Sequence, residues 1–156
     1  TGLPNRALFI DRAEQALVLA YRNQRSVAVL FIDLDRFKPI NDQYGHDAGD
    51  VLLRTIGKRL QDKLRASDTV CRQGGDEFVV LLPEFKERAD LEKVAYKLRA
   101  TIEEPCEVAG NLLSVSASIG IALYPEHGKT IEALIQRADA AMYQAKANAA
   151  KPVYFA

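Results

Sequence analysis

Arg72-Gln73-Gly74-Gly75-Asp76-Glu77-Phe78 is the stretch on which the fold turns. β-prone runs flank it, Thr69-Val70-Cys71 before and Phe78-Val79-Val80-Leu81-Leu82 after. Paired glycines between such runs predict a tight hairpin, with the glycines taking the positive φ that other residues avoid. Asp76 and Glu77 then sit at or just after its tip. A solvated surface turn uses the same residue types, so the meaning of this acidic pair depends on what converges with it.

Upstream, Val27-Ala28-Val29-Leu30-Phe31-Ile32 is an unbroken apolar run that reads as a strand buried on both faces, and it ends in Asp33-Leu34-Asp35. In extended chain Asp33 and Asp35 face one side and Leu34 the other. A helix is expected before it, from Leu3 to about Gln24, with Ala7, Ile10, Ala13, Leu17, Ala20 and Tyr21 as its inner stripe. After it, Phe37 to Gly45 reads as a short helical turn or loop punctuated by Pro39 and Gly45, followed by a helix from about Asp47 to Leu64.

Downstream of the hairpin, a helix is expected over about Arg88 to Glu103 and a turn at Gly110-Asn111. From Leu113 apolar residues alternate with Ser114, Ser116, Ser118, Gly120 and Ala122, a face small enough for a neighbour to pack close. Thr130 caps a last helix with Leu134, Ile135, Ala138, Ala141, Met142 and Ala145 inward, and Val153-Tyr154-Phe155 suits an edge strand. The expected fold is α/β (α+β): a single mixed, largely antiparallel central sheet flanked by helices.

The 156 residues suit one domain with a real core, and 48% apolar and 27% charged residues are ordinary globular usage. Lys plus Arg and Asp plus Glu both number 21, which argues against a partner that is a nucleic-acid polymer or a membrane surface. Cys71 and Cys106 match no metal spacing and no disulfide framework, and a reducing cytoplasm fits them. No apolar run approaches a membrane span, and the opening on Thr1-Gly2-Leu3-Pro4 suggests a single cytoplasmic domain, 1–156, cut from a larger signalling protein that has room for a membrane anchor elsewhere.

Chemistry gathers around the strand end and the hairpin. Asp33 from one element and Asp76 and Glu77 from another would make a hard-oxygen site suited to Mg²⁺, which completes its shell with substrate phosphates. Two such ions can polarise both the attacking and the leaving oxygen of a phosphoryl transfer. Between these elements, Asn41 and Asp50 have the donor and acceptor set to read a purine edge, Asp50 accepting from a ring N–H and an amino group as guanine requires. Simpler roles are open to both, Asn41 as a turn former and Asp50 as an acid in a first helical turn.

The hairpin stretch, together with Phe37-Lys38-Pro39-Ile40-Asn41-Asp42 and Gly45-His46-Asp47-Ala48-Gly49-Asp50, resembles the GGDEF domain of diguanylate cyclases. The resemblance runs through essentially the whole chain, including Thr1-Gly2-Leu3-Pro4-Asn5-Arg6, Ser118-Ile119-Gly120 and the stretch from Ala138 to Lys146. It implies a fold like that of the nucleotidyl cyclases and polymerase palms. It implies an enzyme that condenses two GTP into cyclic di-GMP with release of pyrophosphate, each domain of a homodimer holding one GTP.

Carried over by position, it makes Asp33, Asp76 and the carbonyl of Leu34 ligands of two Mg²⁺, for which Mn²⁺ can substitute. Asn41 and Asp50 read guanine, and His46, Phe37, Gly74 and Gly75 line the substrate pocket. Lys38 and Lys146 neutralise phosphates, and Asp76 or Glu77 activates the ribose 3′-hydroxyl. Arg65-Ala66-Ser67-Asp68 resembles the family's inhibitory Arg-x-x-Asp site, where Arg65 and Asp68 bind the product. One departure stands out: Ala149-Ala150 replaces the family's Gly-Arg, and the lost Arg would lie one helical turn beyond Lys146. That loss favours an alternative, a weak or inactive module that binds GTP or cyclic di-GMP to regulate a neighbour. A third candidate is a different metal-dependent nucleotide cyclase or palm using the same carboxylates.

Overall fold

The computed structural model describes residues 2–156, so Thr1 of the opening motif lies outside the described residues. The chain runs α1 (Arg6–Asn23), β1 (Val27–Asp35), α2 (Phe37–Tyr44), α3 (His46–Lys63), β2 (Thr69–Gly74), β3 (Glu77–Leu82) and α4 (Arg88–Glu103). It continues through β4 (Cys106–Val108), β5 (Asn111–Leu113), β6 (Ser116–Tyr124), α5 (Ile131–Ala147) and β7 (Val153–Phe155). Five strands form one sheet in the order β2-β3-β1-β6-β7, and β4 and β5 make a separate small hairpin. Every pairing in the large sheet is antiparallel except β6 with β7. This is the expected mixed, largely antiparallel α+β sheet flanked by helices.

β1 lies at the centre, and its alternation divides the core in two. Ala28, Leu30, Ile32 and Leu34 pack with α2, α3 and α4 on one face. Val27, Val29 and Phe31 pack with α1 and α5 on the other. The continuous apolar run is therefore a strand covered on both sides, as its composition requires. Odd-numbered Asp33 and Asp35 fall on the α1/α5 side by the same alternation.

Several boundaries differ from the sequence reading. α1 begins at Arg6, where the Asn5 side chain accepts the Leu8 amide. The stripe accordingly shifts: Phe9, Ala13, Leu17 and Ala20 are buried, while Ala7 and Tyr21 are exposed. Of the two alternatives for the segment after β1, the helical one holds: Phe37–Tyr44 is an α-helix of 8 residues. The turn after α4 is Ala109-Gly110, both at positive φ, and it closes β4 onto β5, a hairpin too short for alternation to reveal. β6 starts at Ser116, after the β5 connection, so the alternation from Leu113 spans two elements.

The Gly74-Gly75 hairpin is built differently from the expected left-handed glycine turn. Neither Gly74 nor Gly75 adopts positive φ. The ladder shifts register between Arg72 and Gly74, and Arg72 Nε donates to the carbonyls of Gly74 at 3.2 Å and Gly75 at 2.9 Å. That bulge and side-chain brace bend the chain in place of left-handed glycines. What Gly74 supplies is room, since a Cβ there would stand 2.9 Å from Glu77 Oε1.

Candidate active site

The site is assembled by strand register. In the β1–β3 ladder Asp33 is the partner of Glu77, and the Leu34 amide donates to the Asp76 carbonyl at 3.1 Å. In the β1–β6 ladder Asp33 is opposite Ser118 and Asp35 opposite Ser116. One end of the sheet therefore gathers Asp33, Asp35, Asp76 and Glu77. α5 crosses this end closely, because a Cβ on Gly120 would lie 1.9 Å from the Ala138 carbonyl oxygen and 2.3 Å from the Met142 amide. That approach delivers Lys146, in the last turn of α5, to the carboxylates: its Nζ is 3.0 Å from Asp35 Oδ1 and 3.7 Å from Asp33 Oδ1.

Burial and charge act differently on the acids. Burial pushes the Asp33 carboxyl up to about 6, aided by Asp76, Glu77 and Asp35 and opposed by Lys146. Burial, Asp139 and Asp76 likewise raise Glu77 above the ordinary carboxylate value. Burial works against ionised Asp35 too, but hydrogen bonds from Ser116, Lys146 and Ser118 outweigh it and hold Asp35 below its ordinary value. An acid near neutral pH beside crowded negative neighbours is the environment that a cation relieves.

Among the described residues no three His, Cys, Asp or Glu side chains form a ready-made metal cage. Two carboxylates from separate elements plus the Leu34 carbonyl nevertheless fit a Mg²⁺ that takes its remaining ligands from phosphates and water. Within the described hydrogen bonds, the Asp33 side chain has no donor, so its oxygens are available to such an ion.

A second group of residues lies at the α2–α3 corner. Gly45, at φ 92°, ends α2 and starts α3, and its amide donates to the Asn41 carbonyl at 2.8 Å. The Asn41 carboxamide lies directly on the backbone of Gly49, where a Cβ would stand 1.8 Å from Asn41 Oδ1. Asp50, next along α3, is exposed, as are His46 and Lys38, while Phe37 is buried beneath the corner. Asn41 and Asp50 thus share one corner, separate from the four carboxylates but joined to them by the β1–α2 turn at Arg36.

Arg65 and Asp68 form a third group. The Asp68 carboxylate, with only 4% of its side chain exposed, accepts the Arg65 amide at 2.9 Å and faces the guanidinium at 3.4 Å. Arg65 also donates to the Glu84 carbonyl at 2.7 Å. Both residues line a cleft of about 910 Å³ with Lys63, Phe85, Lys86 and Lys97 on its walls.

The match to known proteins follows these features. The family model described as diguanylate cyclase, GGDEF domain, covers residues 1–152. The chain belongs to the GGDEF domain family of diguanylate cyclases. The bifunctional diguanylate cyclase/cyclic di-GMP phosphodiesterase MucR of Pseudomonas aeruginosa is 51% identical over 146 residues, covering 94% of this GGDEF domain and 21% of MucR. Diguanylate cyclase TpbB of the same species is 49% identical over 150 residues, 96% of this chain and 34% of TpbB. The chain therefore spans between a fifth and about a third of the curated relatives it matches. The crystal structure of the GGDEF domain of TpbB, also called YfiN, superposes with a TM-score of 0.94 at 47% identity, covering 99% of this chain and 97% of that one. No helix of the described residues is long and apolar enough to cross a membrane.

Sequence reasoning left out Asp35, Ser116 and Ser118 as a unit, and Asp139 as a neighbour of Glu77. The parity of Asp33 and Asp35 was visible, but β6 register was needed to bring the serines opposite them.

The two close-packed glycines of this GGDEF domain give a testable contrast. Gly120→Ala drives a methyl into α5 backbone, which cannot yield, and is expected to cost about 1–3 kcal/mol or more in urea denaturation. Gly49→Ala meets Asn41 Oδ1 at 1.8 Å and Cγ at 2.9 Å and the buried Phe37 ring at 3.2 Å. Asn41 can swing, the ring must give only slightly, and helix propensity returns up to about 1 kcal/mol, so its loss is smaller than that of Gly120→Ala. Equal losses in the two variants would contradict this packing.

Proposed function

We propose that this domain condenses two GTP into cyclic di-GMP with release of pyrophosphate. The observation that carries the reading is the convergence of Asp33, Asp76, Glu77 and Lys146 at one end of the sheet, in a chain of the diguanylate cyclase family. Asp33, Asp76 and the Leu34 carbonyl would hold Mg²⁺, two ions per site with Mn²⁺ able to substitute. Bound there, the metal supplies charge neutralisation at the phosphates.

The chain's own groups do the rest. Asn41 and Asp50 orient the guanine, with His46 beside them and Phe37 backing α2. Lys38 and Lys146 draw the triphosphate so that its α-phosphorus is presented in line. Asp76 or Glu77 accepts the proton of the attacking 3′-hydroxyl; the raised affinity of Glu77 for a proton suits such a base. The 3′-oxygen forms the new P–O bond as the bond to pyrophosphate breaks. Gly74 and Gly75 leave the hairpin backbone open to ribose or phosphate. Because each domain holds one GTP, the reaction needs a second copy of the domain facing the first.

A regulatory site is the finer part of the proposal. Arg65 offers a planar guanidinium for stacking and bidentate contact with guanine. The neighbouring cleft combines apolar Leu82, Phe85 and Leu91 with Lys63, Lys86 and Lys97, whose charge outnumbers that of Glu84 and Asp90, a lining suited to cyclic di-GMP. The site lies at the far end of β2 from the hairpin tip, so product held there acts on how two domains face each other, not on GTP binding itself. A second reading, a binding module without turnover, is favoured by Ala149-Ala150, which replace the family's Gly-Arg after Lys146.

Incubation with GTP and Mg²⁺ tests the enzyme reading. Cyclic di-GMP should accumulate with specific activity that rises with protein concentration, ATP should not replace GTP, and Asp76→Asn should lose turnover by at least about a hundredfold while staying folded. Binding of GTP with no cyclic di-GMP formed at any concentration would select the module instead.

Calorimetric titration with cyclic di-GMP tests the regulatory site. Arg65→Ala should weaken product binding about tenfold or more and leave GTP affinity unchanged. Equal product affinity in both proteins would reduce Arg65 to Asp68 to a helix end and a turn.

A further inference from the structure

Asp35 is held in a way that no other acid of the site shares. Its Oδ2 accepts from Ser116 Oγ at 2.8 Å, and its Oδ1 accepts from Ser118 Oγ at 2.9 Å and from Lys146 Nζ at 3.0 Å. Ser118 is almost wholly buried, so its hydroxyl needs an internal partner, and Asp35 is that partner. With both oxygens engaged by protein donors, Asp35 has little capacity left for a metal. Asp33 is the reverse case, since its contact with Lys146 is an ion pair at 3.7 Å, longer than a hydrogen bond.

We infer that Asp35 is a positioning residue: pinned by Ser116 and Ser118, it parks the Lys146 ammonium off the metal-ligand carboxylate of Asp33. This rests on the reading that Asp33 holds the metal. The physical need is specific. Lysine is a compact charge on a flexible stem, and within one site it finds two carboxylates, Asp33 and Asp35. If it closed on Asp33 it would compete with a divalent cation for the same oxygen. A carboxylate already fixed by two hydroxyls needs no reordering to hold the ammonium, so it wins the contest at 3.0 Å against 3.7 Å. The ammonium has three donors, so parked on Asp35 it keeps others to present to phosphate. The serines also explain why the small face of β6 carries hydroxyls and not only alanines at this end.

The test is Mn²⁺ binding, read by calorimetry or by the electron-spin resonance of free Mn²⁺, in the presence and absence of Lys146. The pair Ser116→Ala/Ser118→Ala leaves every charge in place and removes the pins. It should weaken Mn²⁺ binding about tenfold with Lys146 present and have no effect in a Lys146→Met background. Asp35→Asn is the second probe, and its loss should shrink when Lys146 is replaced. Unchanged Mn²⁺ binding in the serine variant, or the same loss with and without Lys146, would overturn the inference. Mn²⁺ binding that ignores Asp33→Asn would remove the underlying metal assignment as well, whereas sensitivity to Asp33 with no dependence on Lys146 would sink only the parking role.

Discussion

The antiparallel seating of β1 between β3 and β6 is the constraint on which the rest depends. A slip of one residue would turn every β1 side chain to the opposite face of the sheet. Val27, Val29 and Phe31 would lose their place under α1 and α5, and Ala28, Leu30, Ile32 and Leu34 theirs under α2 to α4. Asp33 and Asp35 would leave the α5 face with them. The interactions that stabilise the core are thus the same ones that aim the site. The carboxylates are located by the burial of residues as far away as Val27, at the opposite end of the strand.

The site itself runs against the stability of the fold. Burial penalises the ionised acids at this sheet end and repulsion from Asp76, Glu77 and Asp35 adds to it at Asp33, whose carboxyl is pushed up to about 6. The offsetting terms are local: Lys146 brought in by α5 and the two β6 hydroxyls on Asp35, while the Leu34 amide on the Asp76 carbonyl ties the hairpin backbone to β1. Gly120 is what lets α5 come close enough to contribute. The packing of a helix on a bare glycine and the electrostatics of the carboxylate cluster are one design here.

Much of this was legible in the residues. The apolar run ending in Asp33-Leu34-Asp35 predicted a buried central strand with both acids on one face, and the small face of β6 predicted a close neighbour. The spaced motifs identified the family, which the match over residues 1–152 bears out. Three things were not legible, each for a physical reason. The glycine turn is bent by a bulge and an arginine brace, and a side-chain hydrogen bond to a carbonyl two or three residues on leaves no periodic trace. The β4–β5 hairpin has strands of three residues, too short for alternation to stand out. The Asp35 cradle pairs residues more than 80 apart, and only strand register reveals which serine faces which aspartate.

A crystal structure of the domain with a non-cyclisable GTP analogue and Mg²⁺ tests the central claim most directly. The account predicts metal at Asp33, Asp76 and the Leu34 carbonyl, guanine against Asn41 and Asp50, and the triphosphate within reach of Lys38 and Lys146. A nucleotide seated instead in the cleft beside Arg65 and Asp68, with the four carboxylates left without metal, would contradict it.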